Sequence, residues 1–116
     1  LMLIMKSLAK ELLELVVLVR QNSYSEAQEK CDKMSQQVRN ILSPGLTGRP
    51  QVKPVQDALE SVIRDLAKSK AIFVQQKTGI FFSLYVERIR DNLRQAARVI
   101  SGESSALKKE LKELDD

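Results

Sequence analysis

From Leu8 onward the apolar residues Leu8, Leu12, Leu15 and Val19 recur at steps of four, three and four, which is the spacing of one helix face. Leu13, Val16 and Val17 widen that face, so the pattern predicts a first helix over residues 3–21, buried on more than one side. Gln21 to Tyr24 interrupts it. Ser23 with Glu26, or Ser25 with Gln28, then has the spacing of a capping box, in which a hydroxyl and a side-chain carbonyl satisfy each other's backbone donors. The second helix, expected over 24–42, carries Ala27, Cys31, Met34, Val38 and Ile41 at alternating steps of four and three, a narrow seam of the coiled-coil type. The stretch SPGLTGRPQ from Ser43 to Gln51 holds two of the three prolines and two of the four glycines, so a loop is expected there.

Pro54 suits the first turn of a third helix, where its missing N–H removes no bond, and Val55, Leu59, Val62, Leu66 and Phe73 supply an inward face over 54–77. Thr78 and Gly79 are poor interior residues and predict a break. Phe82, Val86, Ile89, Leu93, Ala96 and Ile100 define a fourth helix over 81–101, with Gly102 as its C-terminal cap. In the closing SSALKKELKELDD, Leu107, Leu111 and Leu114 share one face, the pattern of a short amphipathic fifth helix. No segment alternates as a strand would. The expectation is an all-α bundle of four main helices plus a short C-terminal one, a single domain over 1–116, with Leu12, Leu15, Val38, Val62, Leu66, Ile89 and Leu93 buried together.

Composition agrees with that reading, since 43% apolar and 29% charged residues across 116 positions suit one soluble domain with a real core. There is no histidine and one thiol, Cys31, which removes zinc fingers, histidine-based triads, dithiol centres and internal disulfides. No catalytic or metal-binding set emerges, and no cofactor is expected. Cys31 reads as a small buried hydrophobe, and Glu11 with Glu14 as surface charges on an exposed face. SPGLTGRPQ lacks the lysine and hydroxyl of a phosphate-cradling loop. Lys6, Lys10, Glu11 and Glu14 interrupt the apolar stretch that ends at Val19, so a membrane span and a secretory signal are not expected, and the chain reads as cytoplasmic. It begins with Leu1 and MLIM, as a cut chain, a non-AUG start or a piece of a longer reading frame would.

Charge is where the sequence suggests a partner. Residues 64–100 hold eight cations against three carboxylates and carry a surplus of five, whereas the whole chain is only +4. Arg90, Arg94 and Arg98 follow one another at i, i+4 and i+8, a ridge about 12 Å long. Such a ridge can track a phosphate backbone, to which the guanidinium fork donates bidentately. The same spacing also permits i, i+3 ion pairs, Glu87 with Arg90 and Asp91 with Arg94, on an ordinary solvated face. Phe81, Phe82 and Tyr85 lie beside the basic region. They are the makings of a base-stacking platform, but at helical spacing Phe82 and Tyr85 read better as core and rim.

QVRNILS at Gln37–Ser43, the long helix with LAKSKAIFVQQKTG, and the basic LYVERIRDNLRQAAR together resemble the small helical subunits of multi-subunit CRISPR RNA-guided effector complexes, over roughly residues 23–100. The resemblance implies a non-enzymatic subunit, stacked on other protein subunits and offering basic surfaces to the guide, target or displaced strand. Carried over by position, it implies sequence-independent backbone contacts from Arg39, Lys68, Lys70, Arg88, Arg90, Arg94 and Arg98, with Arg49 and Lys53 as secondary candidates. Some members of that family arise by internal translation of a larger subunit, which agrees with Leu1. The chain departs from it in ending with the acidic KKELKELDD instead of a longer aromatic helix. A second reading comes from LLELVVLV at Leu12–Val19: an adaptor or chaperone whose uncovered apolar seam binds a partner helix. An enzyme would need its chemistry from substrate or partner.

Overall fold

The computed structural model describes residues 2–42, 53–76 and 79–102. They form four α-helices: α1 (Met2–Arg20), α2 (Tyr24–Ile41), α3 (Lys53–Val74) and α4 (Gly79–Gly102). Among the described residues there is no strand. The expected fifth helix lies outside them, as does the expected loop at Ser43–Gln51. Each helix packs on its neighbours in sequence, and α4 returns to α1, so the four close a ring in the manner of an up-and-down bundle measuring 45 × 23 × 22 Å.

The α1–α2 corner is tight because α1 ends in a left-handed stop. Asn22 has φ 58°, its N–H donates to the Val19 carbonyl at 3.0 Å, and the Ser23 N–H donates to the Leu18 carbonyl at 2.9 Å. These are the two bonds of a Schellman ending, and asparagine tolerates the left-handed conformation better than most residues. Ser23 is the N-cap of α2, but its hydroxyl makes no cap hydrogen bond, so the expected capping box does not form. Instead the Tyr24 hydroxyl donates back to Asn22 Oδ1 at 3.1 Å. At the same end of the bundle α3 stops at Val74, short of the expected end at residue 77. Gln76 adopts φ 56° and its N–H donates to the Phe73 carbonyl at 3.0 Å. The break between the third and fourth helices is therefore real, but Gly79 opens α4 and a glutamine supplies the turn. Gly102 likewise is the last residue of α4 and not a cap beyond it.

The core is the one the periodicity predicts. Leu12, Leu15, Val38, Val62, Leu66, Ile89 and Leu93 are all buried in one cluster, together with the seam Ala27, Cys31, Met34, Val38 and Ile41. Phe73 closes the core at the end near the turns, stacked on Tyr24 at 6.4 Å and edge-on to Phe82 at 5.0 Å between ring centroids. Two expectations about α1 fail. Leu13 is 69% exposed and Val17 is also on the outside, because α2 and α4 cover only the Leu8–Leu12–Leu15 side of that helix. Conversely Glu11, expected on the surface, is buried where α1 meets α2 and reaches Lys33 at 3.1 Å.

Candidate functional site

Among the described residues, ion pairs bridge α1 to α2, α2 to α3 and α3 to α4. Lys30 of α2 donates to Glu14 of α1 at 2.8 Å, beside the Lys33–Glu11 contact. That hydrogen bond, with the nearby lysine charges, holds the Glu14 carboxyl below the ordinary carboxylate range. Lys70 of α3 donates to both oxygens of Asp32 on α2 at 2.9 Å. Arg88 of α4 lies 3.3 Å from Oδ1 of Asp65 on α3, a carboxylate with no solvent exposure and no hydrogen bond. A buried carboxylate in this position is tolerable only with a cation beside it. Small residues lie along this part of α3: Ala58 and Ser69 are buried, and Ser61 accepts a hydrogen bond from the Asn92 side-chain amide at 3.2 Å.

This arrangement divides the seven cations singled out in the sequence. Lys70 and Arg88 are committed to carboxylates on neighbouring helices. Lys68 stands 6.0 Å over the ring of Tyr85, a cation–π contact that also fixes Tyr85 at the rim of the bundle, while Phe81 is exposed. Arg39 is exposed in the last turn of α2, at the other end of the bundle from the aromatic cluster. Arg90, Arg94 and Arg98 are exposed on α4, and Arg90 and Arg94 face α1. The two i, i+3 pairs open to them are not made: neither Glu87 with Arg90 nor Asp91 with Arg94 forms an ion pair. Of the secondary candidates, Lys53 pairs with Asp57 at 3.1 Å, and Arg49 lies outside the described residues.

The fourth seam, between α4 and α1, is different in kind. A surface cleft of about 340 Å³ runs between the helices there, floored by Met5, Ala9, Leu12, Leu13, Leu93 and Ala97, with Lys6 on one rim and Arg90 and Arg94 on the other. Ala9 and Ala97 explain the cleft, since two methyl side chains leave open the space that larger residues would fill. A second groove, of about 640 Å³, crosses the outside of α1 and α2. Its apolar floor is Leu13, Val17 and Leu18, and its edges mix Glu14, Glu26 and Glu29 with Lys10, Lys30 and Lys33. Leu13 belongs to both. The apolar seam that the second reading of the sequence finds in LLELVVLV falls on this part of α1, although the helical pattern counts Leu13 and Val17 with the inward face. The available signal was the excess of apolar positions in LLELVVLV over what one inward face holds.

Cys31 is buried in the seam of α2, and burial pushes its thiol up to about 12, which disfavours the thiolate at neutral pH. Among the described residues no cluster of carboxylates and thiol could hold a metal ion, and no helix is long and apolar enough to cross a membrane. Comparison of the chain with protein-family models, with curated proteins and with solved structures finds no match.

Proposed function

We propose that this chain is a non-enzymatic helical adaptor that binds a helix of a partner protein along the outer side of α1. The observation that carries this reading is the uncovered apolar surface of that helix, where Leu3, Leu13 and Val17 are exposed and Leu13 faces two grooves at once. Among the described residues four of the seven exposed large hydrophobics lie on α1, the others being Val74, Phe81 and Leu84, and a group of large exposed aliphatics on one helix is typical of contact surfaces. Grooves between packed helices are what an amphipathic helix occupies, with its apolar side chains at i, i+3 or i+4, and i+7. The absence of histidine and the burial of Cys31 argue against chemistry of its own.

A second reading has its own support. Arg90 and Arg94 are exposed and make no ion pair, as contacts to a nucleic-acid backbone in a CRISPR-type small subunit would require. One experiment separates the two. A photo-crosslinking amino acid is placed at Leu13 and, as a control, at Arg64 on the outside of α3, and adducts formed in the source cells are digested with nuclease or protease. The adaptor reading expects a discrete protein adduct from position 13 alone, lost when Val17 is made Ser. Nucleic-acid adducts at position 13, or none above the control, would overturn it. The backbone reading gains only if single-strand affinity of the assembled complex falls on Arg90→Ala, Arg94→Ala, Arg98→Ala, with the log–log salt slope flattened by about two units.

A further inference from the structure

The ion pairs of the bundle leave one seam without its acids. α1–α2, α2–α3 and α3–α4 each set lysine or arginine against a carboxylate across the interface. At α4–α1 the cleft is lined by three cations, Lys6, Arg90 and Arg94, and no carboxylate. None of the three forms an ion pair, although Glu87 and Asp91 are close in sequence to the two arginines. Between these rims the floor is apolar. We propose that the α1–α4 cleft binds an acidic amphipathic helix of a partner protein, its leucine-type stripe on Met5, Ala9, Leu13 and Ala97 and its carboxylates on Lys6 to one side and Arg90 and Arg94 to the other. The proposal rests on the adaptor reading and names the chemistry of its partner.

The layout favours a helix over other anions. Arg90 and Arg94 are one turn apart on α4, about 6 Å along its axis, while Lys6 stands across the floor. A single headgroup reaches one rim. A helix with acids flanking an apolar stripe reaches both, and the cleft between Met5 and Leu13 offers it two turns, about 12 Å, of contact. A polynucleotide would use the arginines but leave the apolar floor in water. Seated there, the partner helix packs against α1 and α4 as a further member of the bundle.

The test uses the full chain and two synthetic helical peptides with the same leucine stripe, one flanked by glutamates and one by lysines. The Glu-flanked peptide should bind at least about tenfold more tightly, a preference that shrinks as salt is raised. Amide NMR shifts should map to Met5–Leu13 and Arg90–Ala97. The charge-reversed variant Arg90→Glu, Arg94→Glu should invert the preference toward the Lys-flanked peptide, which a merely unfolded variant could not do. Equal binding of the two peptides, or shifts confined to the α1–α2 groove, would overturn the acidic assignment while leaving a position-13 protein crosslink, and so the adaptor reading, intact. Stronger binding of a random single-strand oligonucleotide at the same amides overturns it in favour of the backbone reading. Binding that appears only when Leu107, Leu111 and Leu114 are changed to Ser assigns the cleft to the chain's own residues 103–116, and overturns the partner.

Discussion

A cysteine and an aspartate show how much the surroundings of a side chain decide. Cys31 lies between Ala27 and Met34 on the seam of α2, where desolvation disfavours the thiolate more than the neighbouring Lys70 favours it. Its proton is therefore held more tightly in the folded chain than in the unfolded one, where the thiol titrates near 9. The sign follows. Between that value and about 12 the folded state binds more protons, so stability falls as pH rises through the window. Urea denaturation at pH 8 and pH 10 should show wild type losing about 1 kcal/mol more than Cys31→Ala over that interval. Equal losses would mean that the thiolate is accommodated without opening the seam. Asp65 is a buried side chain of another kind, 0% exposed, with Arg88 reaching it at 3.3 Å from the next helix.

Each helix has one side that the core claims, and α1 is the helix on which the claimed side is hardest to tell from the rest. Leu12 and Leu13 are adjacent in sequence, yet about 100° apart around the axis, so one is inside and the other faces water. The energetic consequence is asymmetric. Leu93→Ala, which empties a buried site on α4 against that part of α1, should cost about 2–5 kcal/mol. Leu13→Ala should cost no more than about 0.5 kcal/mol, since water already covers most of that side chain. Thermal or urea unfolding of the two variants checks the pair, and a large loss at Leu13 would mean that α1 is turned on its axis. Between α3 and α4 a fully buried carboxylate, Asp65, meets the half-exposed Arg88, and Asn92 bonds Ser61, so their register is set by polar contacts as well as by shape.

Taken as one body, the molecule has cations with two distinct tasks on a single helix. Along the α3 side of α4, Arg88 neutralises a buried carboxylate. Along the α1 side, Arg90 and Arg94 line a cleft and make no ion pair within the fold. Arg88→Ala should destabilise the bundle by about 2 kcal/mol, because Asp65 is left buried without its cation. The double variant Asp65→Ala, Arg88→Ala should recover part of that loss. Arg90→Ala with Arg94→Ala should stay within about 0.5 kcal/mol of wild type. Denaturation midpoints at unchanged slope would measure all three, and a marked loss in the Arg90, Arg94 variant would assign those residues to the fold and not to a partner.

Much of this architecture is legible from spacing alone. The four apolar stripes and the buried set from Leu12 to Leu93 follow from a helical period that persists for about three to five turns in each element. So does the basic run along α4, as far as Arg90, Arg94 and Arg98 share one strip of the helix. What the chain order does not contain is which strip meets which neighbour. Glu11 is inside, Leu13 outside, Lys70 bound to Asp32 and Arg88 to Asp65 only because particular helices lie side by side. Those partners stand 38 and 23 positions apart in sequence, beyond the i, i+3 and i, i+4 neighbours that a single helix can relate. The stop at Gln76 escapes the sequence for a related reason: nothing in a glutamine favours φ 56°, whereas Phe73 and Phe82, on either side of it in the chain, meet edge-on only in the folded bundle. The cleft between α1 and α4 exists because Ala9 and Ala97, each unremarkable in its own helix, line the same gap once the ring has closed.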